Sequence, residues 1–145
     1  MGTSFQVTID CADPEALGGF WARALHYREQ EPPAGFDDWP SFLAAQGISE
    51  SEWASAYAIV DPEGKGPRIY LQRVPEPKVT KNRVHLDVNV TAGRSQAVDE
   101  RRQVVNEEIA RLVEEGAAHV RTVDGQPGEY FAVMQDPEGN EFCLH

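Results

Sequence analysis

Basic residues are scarce in this sequence: 13 Lys and Arg stand against 24 Asp and Glu in 145 residues, a formal net charge of −11. That shortage argues against a nucleic-acid or anionic-membrane partner, because phosphate would be repelled. Cysteine is scarce as well. Cys11 and Cys143 are the two present, which fits a reduced cytoplasmic chain better than a disulfide framework. No apolar run approaches the roughly 20 residues of a bilayer span. The start Met1-Gly2-Thr3-Ser4-Phe5-Gln6 lacks the basic and apolar regions of a secretory signal, and Gln6 breaks the myristoylation pattern. No segment is of low complexity. An apolar fraction of 41% with 9% aromatics is too high for disorder. The expectation is one soluble, acidic domain over residues 1–145.

What is present is an internal repeat. Gln6-Val7-Thr8-Ile9-Asp10-Cys11 alternates polar and apolar residues and then meets a helix start; His85-Leu86-Asp87-Val88-Asn89-Val90 does the same. Tyr57-Ala58-Ile59-Val60 runs into Asp61-Pro62-Glu63-Gly64, and Tyr130-Phe131-Ala132-Val133-Met134-Gln135 runs into Asp136-Pro137-Glu138-Gly139. Asp-Pro-x-Gly is a turn with a mechanism: Asp accepts from the following backbone, Pro presets φ, and Gly takes the positive φ. Two copies at matching offsets indicate a tandem duplication, with module one at about 4–76 and module two at about 82–145. The join falls in Val74-Pro75-Glu76-Pro77-Lys78, whose prolines cannot sit in a central strand.

Each module reads as a strand, a helix and three strands. Asp13 is an N-cap, with Pro14 at N1 and Glu15 in the first turn. Leu17, Phe20, Trp21, Ala24 and Leu25 then form one buried stripe. The second helix is predicted from Arg94 to Glu115, with the stripe Val98, Val105, Ile109, Leu112 and Val113 and a stop at Gly116. Module one also carries an insertion, residues 36–55. There Asp38-Trp39-Pro40 opens a short helix ending at Gly47, and Ser49 with Glu52 spells a capping box. The remaining strands are predicted near 28–31, 56–60, 68–74, 117–123, 129–135 and 140–144.

Strand parity sorts the faces. Val7, Ile9 and Cys11 oppose Gln6, Thr8 and Asp10; Leu86, Val88 and Val90 oppose His85, Asp87 and Asn89. Ile69 and Leu71 oppose Arg68, Tyr70 and Gln72, and Phe142 and Leu144 oppose Glu141, Cys143 and His145. The apolar faces press on the helices. The polar faces meet either water or a cleft.

The doubled order of strand, helix and three strands, with Phe20-Trp21 on the first helix and Asp136-Pro137-Glu138-Gly139-Asn140 before the last strand, resembles the vicinal-oxygen-chelate superfamily of glyoxalases, bleomycin-resistance proteins and extradiol dioxygenases. More narrowly, Leu71-Gln72-Arg73-Val74-Pro75-Glu76-Pro77-Lys78 with Lys81-Asn82-Arg83-Val84-His85-Leu86-Asp87 resembles the glyoxalase-like proteins common in actinobacteria. The resemblance implies an α+β fold of two tandem βαβββ modules forming a curled mixed sheet around a cleft. It further implies one divalent metal (Zn, Ni, Mn or Fe) held there by first-strand and last-strand residues. Those positions fall on Gln6 and His85, on Cys143, and on Tyr70 or Gln72, with Gln72 favoured.

Relatives carry Glu where this chain has Cys143, so both carboxylate positions depart from the enzymatic pattern, and amide and thiol groups are poor proton carriers. Asp87 and Glu141 lie in phase with the ligand positions as displaced carboxylates. Thr8, Asp10, Trp39, Trp53 and Tyr70 complete the candidate lining, with the insertion as a lid or as plain surface packing. Two functions follow from the resemblance. One is a lyase, isomerase or dioxygenase acting on a small oxygenated molecule at a degenerate metal site. The other is a non-catalytic protein sequestering a cationic drug-like ligand, which the negative charge would attract. The resemblance also implies a homodimer.

Overall fold

The computed structural model describes residues 1–125 and 128–145. The chain divides into two compact units, Met1–Pro77 and Lys78–His145, so the division falls within the predicted proline-rich join. Unit one contains β1 (Val7–Cys11), α1 (Pro14–Leu25), β2 (Arg28–Glu29), α2 (Trp39–Ala45), a 3₁₀ turn (Glu50–Ser55), β3 (Ala56–Val60) and β4 (Ile69–Arg73). Unit two contains β5 (Asp87–Val88), a 3₁₀ turn (Gly93–Ser95), α3 (Val98–Glu114), β6 (Ala118–Gly125), β7 (Glu129–Gln135) and β8 (Glu141–Leu144). Each unit has its own four-stranded mixed sheet, and the two orders match: β1-β4-β3-β2 and β5-β8-β7-β6. In both, the first strand runs parallel to the last, and the other pairings are antiparallel. The duplication is therefore visible in topology as well as in sequence, and the fold is α+β.

The helices form where capping and periodicity place them. The Asp13 side chain accepts from Ala16 N at 3.1 Å, and Pro14 stands at the first helical position. Leu17, Phe20, Trp21 and Ala24 bury the stripe against β3 and β4. The helix ends on His26, a non-glycine residue at φ 56°, whose N–H reaches back to Ala22 O. In unit two, Val105 and Leu112 are fully buried against the sheet, and Gly116 at φ 111° stops α3 as expected. The start of α3 is a correction. It begins at Val98 rather than Arg94, because Gly93 at φ 67° opens a separate 3₁₀ turn, after which Gln96 is extended and Ala97 takes the N-cap position. Val113 is 44% exposed and lies off the buried stripe.

Three other local expectations are corrected by backbone bookkeeping. Ser49 makes no capping box: its hydroxyl meets the Ser51 hydroxyl at 3.1 Å, and Glu52 N takes the Ser49 carbonyl. β2 covers only Arg28–Glu29, since Pro32 and Pro33 follow and cannot extend a ladder. β5 covers only Asp87–Val88, and its parallel hydrogen bonds to β8 run one step further, His145 N donating to Val88 O at 2.9 Å and Val90 N to His145 O at 2.7 Å.

The two Asp-Pro-Glu-Gly turns work as their chemistry predicts. Asp61 carboxylate oxygens accept from Glu63 N, Lys65 N and Gly66 N at 2.9, 3.0 and 2.7 Å. Asp136, only 3% exposed, accepts from Glu138 N, from Asn140 N and from the Asn140 amide. These turns aim β4 and β8 into the centres of their sheets, beside β1 and β5.

Two outcomes are expected. The backbone N–H groups of Glu63 and Gly66 hold the Asp61 carboxyl below the ordinary carboxylate range. A depressed native pKa contributes stability above the unfolded value, near 4, that is lost as pH falls through the native one. Chemical denaturation of Asp61→Asn should therefore show less acid dependence below about pH 4 than the parent. A Cβ on Gly18 would collide with Tyr57 Cδ1 and lie 2.8 Å from Cε1. The helix-propensity gain of about 1 kcal/mol for Gly18→Ala loses to overpacking of about 1–3 kcal/mol, so a net loss of about 1 kcal/mol is expected by urea denaturation.

Candidate metal centre

In unit two the register of β5 and β8 sets Asp87 directly across from Cys143. His85 lies two residues before Asp87 and so shares its face. One ligand atom each from His85, Asp87 and Cys143 lies within 4.8 Å of the other two. Donor atoms about 2.0–2.3 Å from one tetrahedral ion sit about 3.4–3.8 Å apart, so a shift of about 1 Å would close this set on a cation. Nitrogen, carboxylate oxygen and thiolate sulfur together suit a borderline divalent ion such as Zn²⁺. The residues fit the group that the fold implies.

The surroundings hold this face in place. Asn82 clamps the start of β8, its Oδ1 accepting from Glu141 N at 2.9 Å and its Nδ2 donating to Glu141 O at 3.2 Å. Beyond the other end of the strand, the His145 ring stacks on Phe131, with centroids 4.8 Å apart. His145 Nε2 lies 3.4 Å from Asp87 Oδ1, and His85 Nε2 lies 3.2 Å from the same atom. Two imidazoles thus converge on one carboxylate oxygen, which orients it. Cys143 is 8% exposed. Burial, then the negative charges of Asp87 and Glu141, push its thiol pKa up, so it is protonated at neutral pH. Glu141 is engaged elsewhere: its contact with Lys81 holds its carboxyl below the usual range.

Of the four family-equivalent positions, the structure brings His85 and Cys143 together and adds Asp87. Gln6 and Gln72 belong to unit one and are not neighbours there. Gln6 precedes the Val7–Ile69 pair and accepts from Arg68 Nη1 at 3.1 Å, whereas Gln72 pairs across from Asp10. Four residues of strand separate them, about 13 Å. Aligning Gln6 with His85 makes Tyr70, opposite Thr8, the counterpart of Cys143. The indole of Trp39 donates to Gln30 O at 2.8 Å and that of Trp53 to Ile48 O at 2.9 Å. His145 and Arg68 were placed on the polar faces by parity, but nothing in the spacing singled them out. The stacking of His145 on Phe131 depends on β7 lying beside β8, a tertiary fact.

Residues 6–145 match the family model described as a glyoxalase-like domain, and the chain belongs to that family. No curated protein matches it. Among solved structures, it is similar to the fosfomycin resistance protein FosX of Listeria monocytogenes, in a mutant form complexed with Mn(II) and 1S,2S-dihydroxypropylphosphonic acid. That likeness has 14% identity and a TM-score of 0.65, covering 100% of this chain and 92% of the other. A glyoxalase/bleomycin resistance protein/dioxygenase family enzyme from Burkholderia phytofirmans is similar at 14% identity and a TM-score of 0.62, covering 96% and 94%. A glyoxalase/bleomycin resistance protein from Albidiferax ferrireducens follows at 16% and 0.54, covering 98% and 95%. These likenesses show the fold. Among the described residues no helix is long and apolar enough to cross a membrane.

The raised Cys143 thiol makes a measurable statement. Alkylation by iodoacetamide at pH 7, followed by mass spectrometry of the Cys143 peptide, should be slower than for a free thiol. Asp87→Asn should speed it by lowering the thiol pKa. Equal rates in parent and variant would count against the charge effect.

Proposed function

We propose that this chain binds a small oxygenated organic molecule through a divalent cation held by His85, Asp87 and Cys143. The reading rests on one observation, the convergence of three chemically different donors on one sheet face of unit two. The fold is a second support, since a structural neighbour's description includes Mn(II) and an organic ligand. His85 contributes a neutral ring nitrogen, Asp87 a carboxylate oriented by His145, and Cys143 a thiol that loses its proton on loading. A bound cation supplies Lewis acidity toward a carbonyl or hydroxyl oxygen of the guest. Three protein donors leave coordination positions for such a guest. The reaction classes in keeping with this arrangement are those of a lyase, isomerase or dioxygenase, acting in a reducing cytoplasm. Cys143 is a free, buried thiol, in keeping with that compartment. Family analogy makes a homodimer the working form.

A second reading, sequestration without chemistry, is favoured by a different observation. Glu141 is bound to Lys81, and a thiol stands at Cys143, so neither position offers a free carboxylate to move a proton. In that reading the −11 charge attracts a cationic guest.

Calorimetric titration of Zn²⁺ into the metal-free protein tests the site. One ion should bind per chain, with about one proton released from Cys143, seen by repeating the titration in buffers of different ionisation enthalpy. His85→Ala and Cys143→Ala should each weaken binding by at least about 100-fold, and His145→Ala by about 10-fold. Affinity unchanged in the first two variants would refute the assignment.

A further inference from the structure

Unit one carries an arginine whose side-chain hydrogen bonds go to neutral side chains. Arg28, Arg102 and Arg111 each meet a carboxylate, at Glu31, Asp124 and Glu108. Arg68 meets none among the described residues, and neither do Arg73 and Arg101, which donate to backbone carbonyls of Ser51 and of Gln96 and Gly128. The Arg68 guanidinium is instead held by two neutral amides. Nε donates to Gln30 Oε1 at 2.8 Å, and Nη1 donates to Gln6 Oε1 at 3.1 Å. The same group lies over the Tyr70 ring, 5.2 Å from its centroid, within the range of a cation–π contact. The Gln30 backbone carbonyl accepts the Trp39 indole N–H. Three elements therefore fix a half-buried guanidinium while leaving its charge uncancelled. Of the five N–H donors of an arginine, two are engaged, and both on Nη2 have no hydrogen-bond partner among the described residues.

A carboxamide at Gln6 and Gln30 is what distinguishes this arrangement from an ordinary surface ion pair. Glutamate in either place would orient Arg68 equally well and neutralise it. We infer that the Arg68 guanidinium, oriented by Gln6, Gln30 and Tyr70, is a binding site for the oxyanion group of a small molecule, a carboxylate or a phosphonate-type group. The planar fork of arginine matches both groups with paired hydrogen bonds, and prior orientation lowers the entropy lost on binding. The site goes beyond the metal reading and belongs to unit one alone. It runs against sequestration of a purely cationic guest, because the fixed group on this face is itself positive.

Metal-free protein, titrated with sodium benzoate, methylphosphonate, inorganic phosphate or tetramethylammonium chloride and followed by NMR, provides the test. Saturable shifts at the Arg68 Nε–H and the Tyr70 ring are expected with anions and not with tetramethylammonium. Response to benzoate alone assigns carboxylates, response to the two phosphorus anions assigns phosphoryl-type groups, and either supports the site. Arg68→Gln should abolish the response and Arg68→Lys weaken it about 10-fold, the fork being lost. Arg94→Gln, which removes the same charge elsewhere, should change affinity less than twofold. Gln30→Glu keeps Arg68 in place and supplies an internal carboxylate, so it should also abolish binding in a folded protein. Binding that persists in Gln30→Glu and Arg68→Gln, or no saturable response to any of the three anions, overturns the proposal. Because no metal is present, failure of the His85, Asp87 and Cys143 assignment leaves this result untouched.

Discussion

The parallel pairing of each unit's first strand with its last is the constraint on which the rest depends. β1 beside β4 and β5 beside β8 join residues some 60 positions apart in sequence. No hairpin can make a parallel pair, so the chain must cross over, and the helix that crosses supplies the apolar cover. Everything chemical in the molecule follows from that pairing. It sets Asp87 across from Cys143 in one sheet and Thr8 across from Tyr70 in the other. It also brings Arg68 beside Gln6.

Alternation does the sorting once the pairing is made. Ile69, Leu71, Phe142 and Leu144 are buried to 2% exposure or less, so the residues between them have one direction left to point. Cys143 departs from a plain polar face: it sits among charged neighbours and yet is almost fully covered. That combination of burial and neighbouring negative charge raises its pKa. Were a cation to bind at the proposed site, its affinity would be coupled to proton loss from this thiol, which an acidic ligand already ionised at neutral pH would not require.

Much of the fold was legible in the sequence because its signals are local. Asp13-Pro14, the two Asp-Pro-Glu-Gly turns and Gly116 state their geometry in side-chain chemistry, and parity names both faces of β4 and β8. The misses are also local in form but have non-local causes. α3 starts at Val98 because Gly93 opens a turn of its own, and the pairing of β5 runs out where β8 reaches His145, which lies 55 positions beyond Val90. At the candidate site, His85 and Cys143 followed from the resemblance and Asp87 from phase. The role of His145 depends on its stack with Phe131, and the holding of Arg68 by Gln6 and Gln30 depends on β1, β2 and β4 lying in one sheet.

Each sheet closes its hydrogen-bond ladder with strands of its own unit. A change on the solvent-facing side of one copy therefore leaves the pairing of the other intact. Imidazole, carboxylate and thiol in one half, and guanidinium with carboxamides in the other, are the divergence that such independence permits.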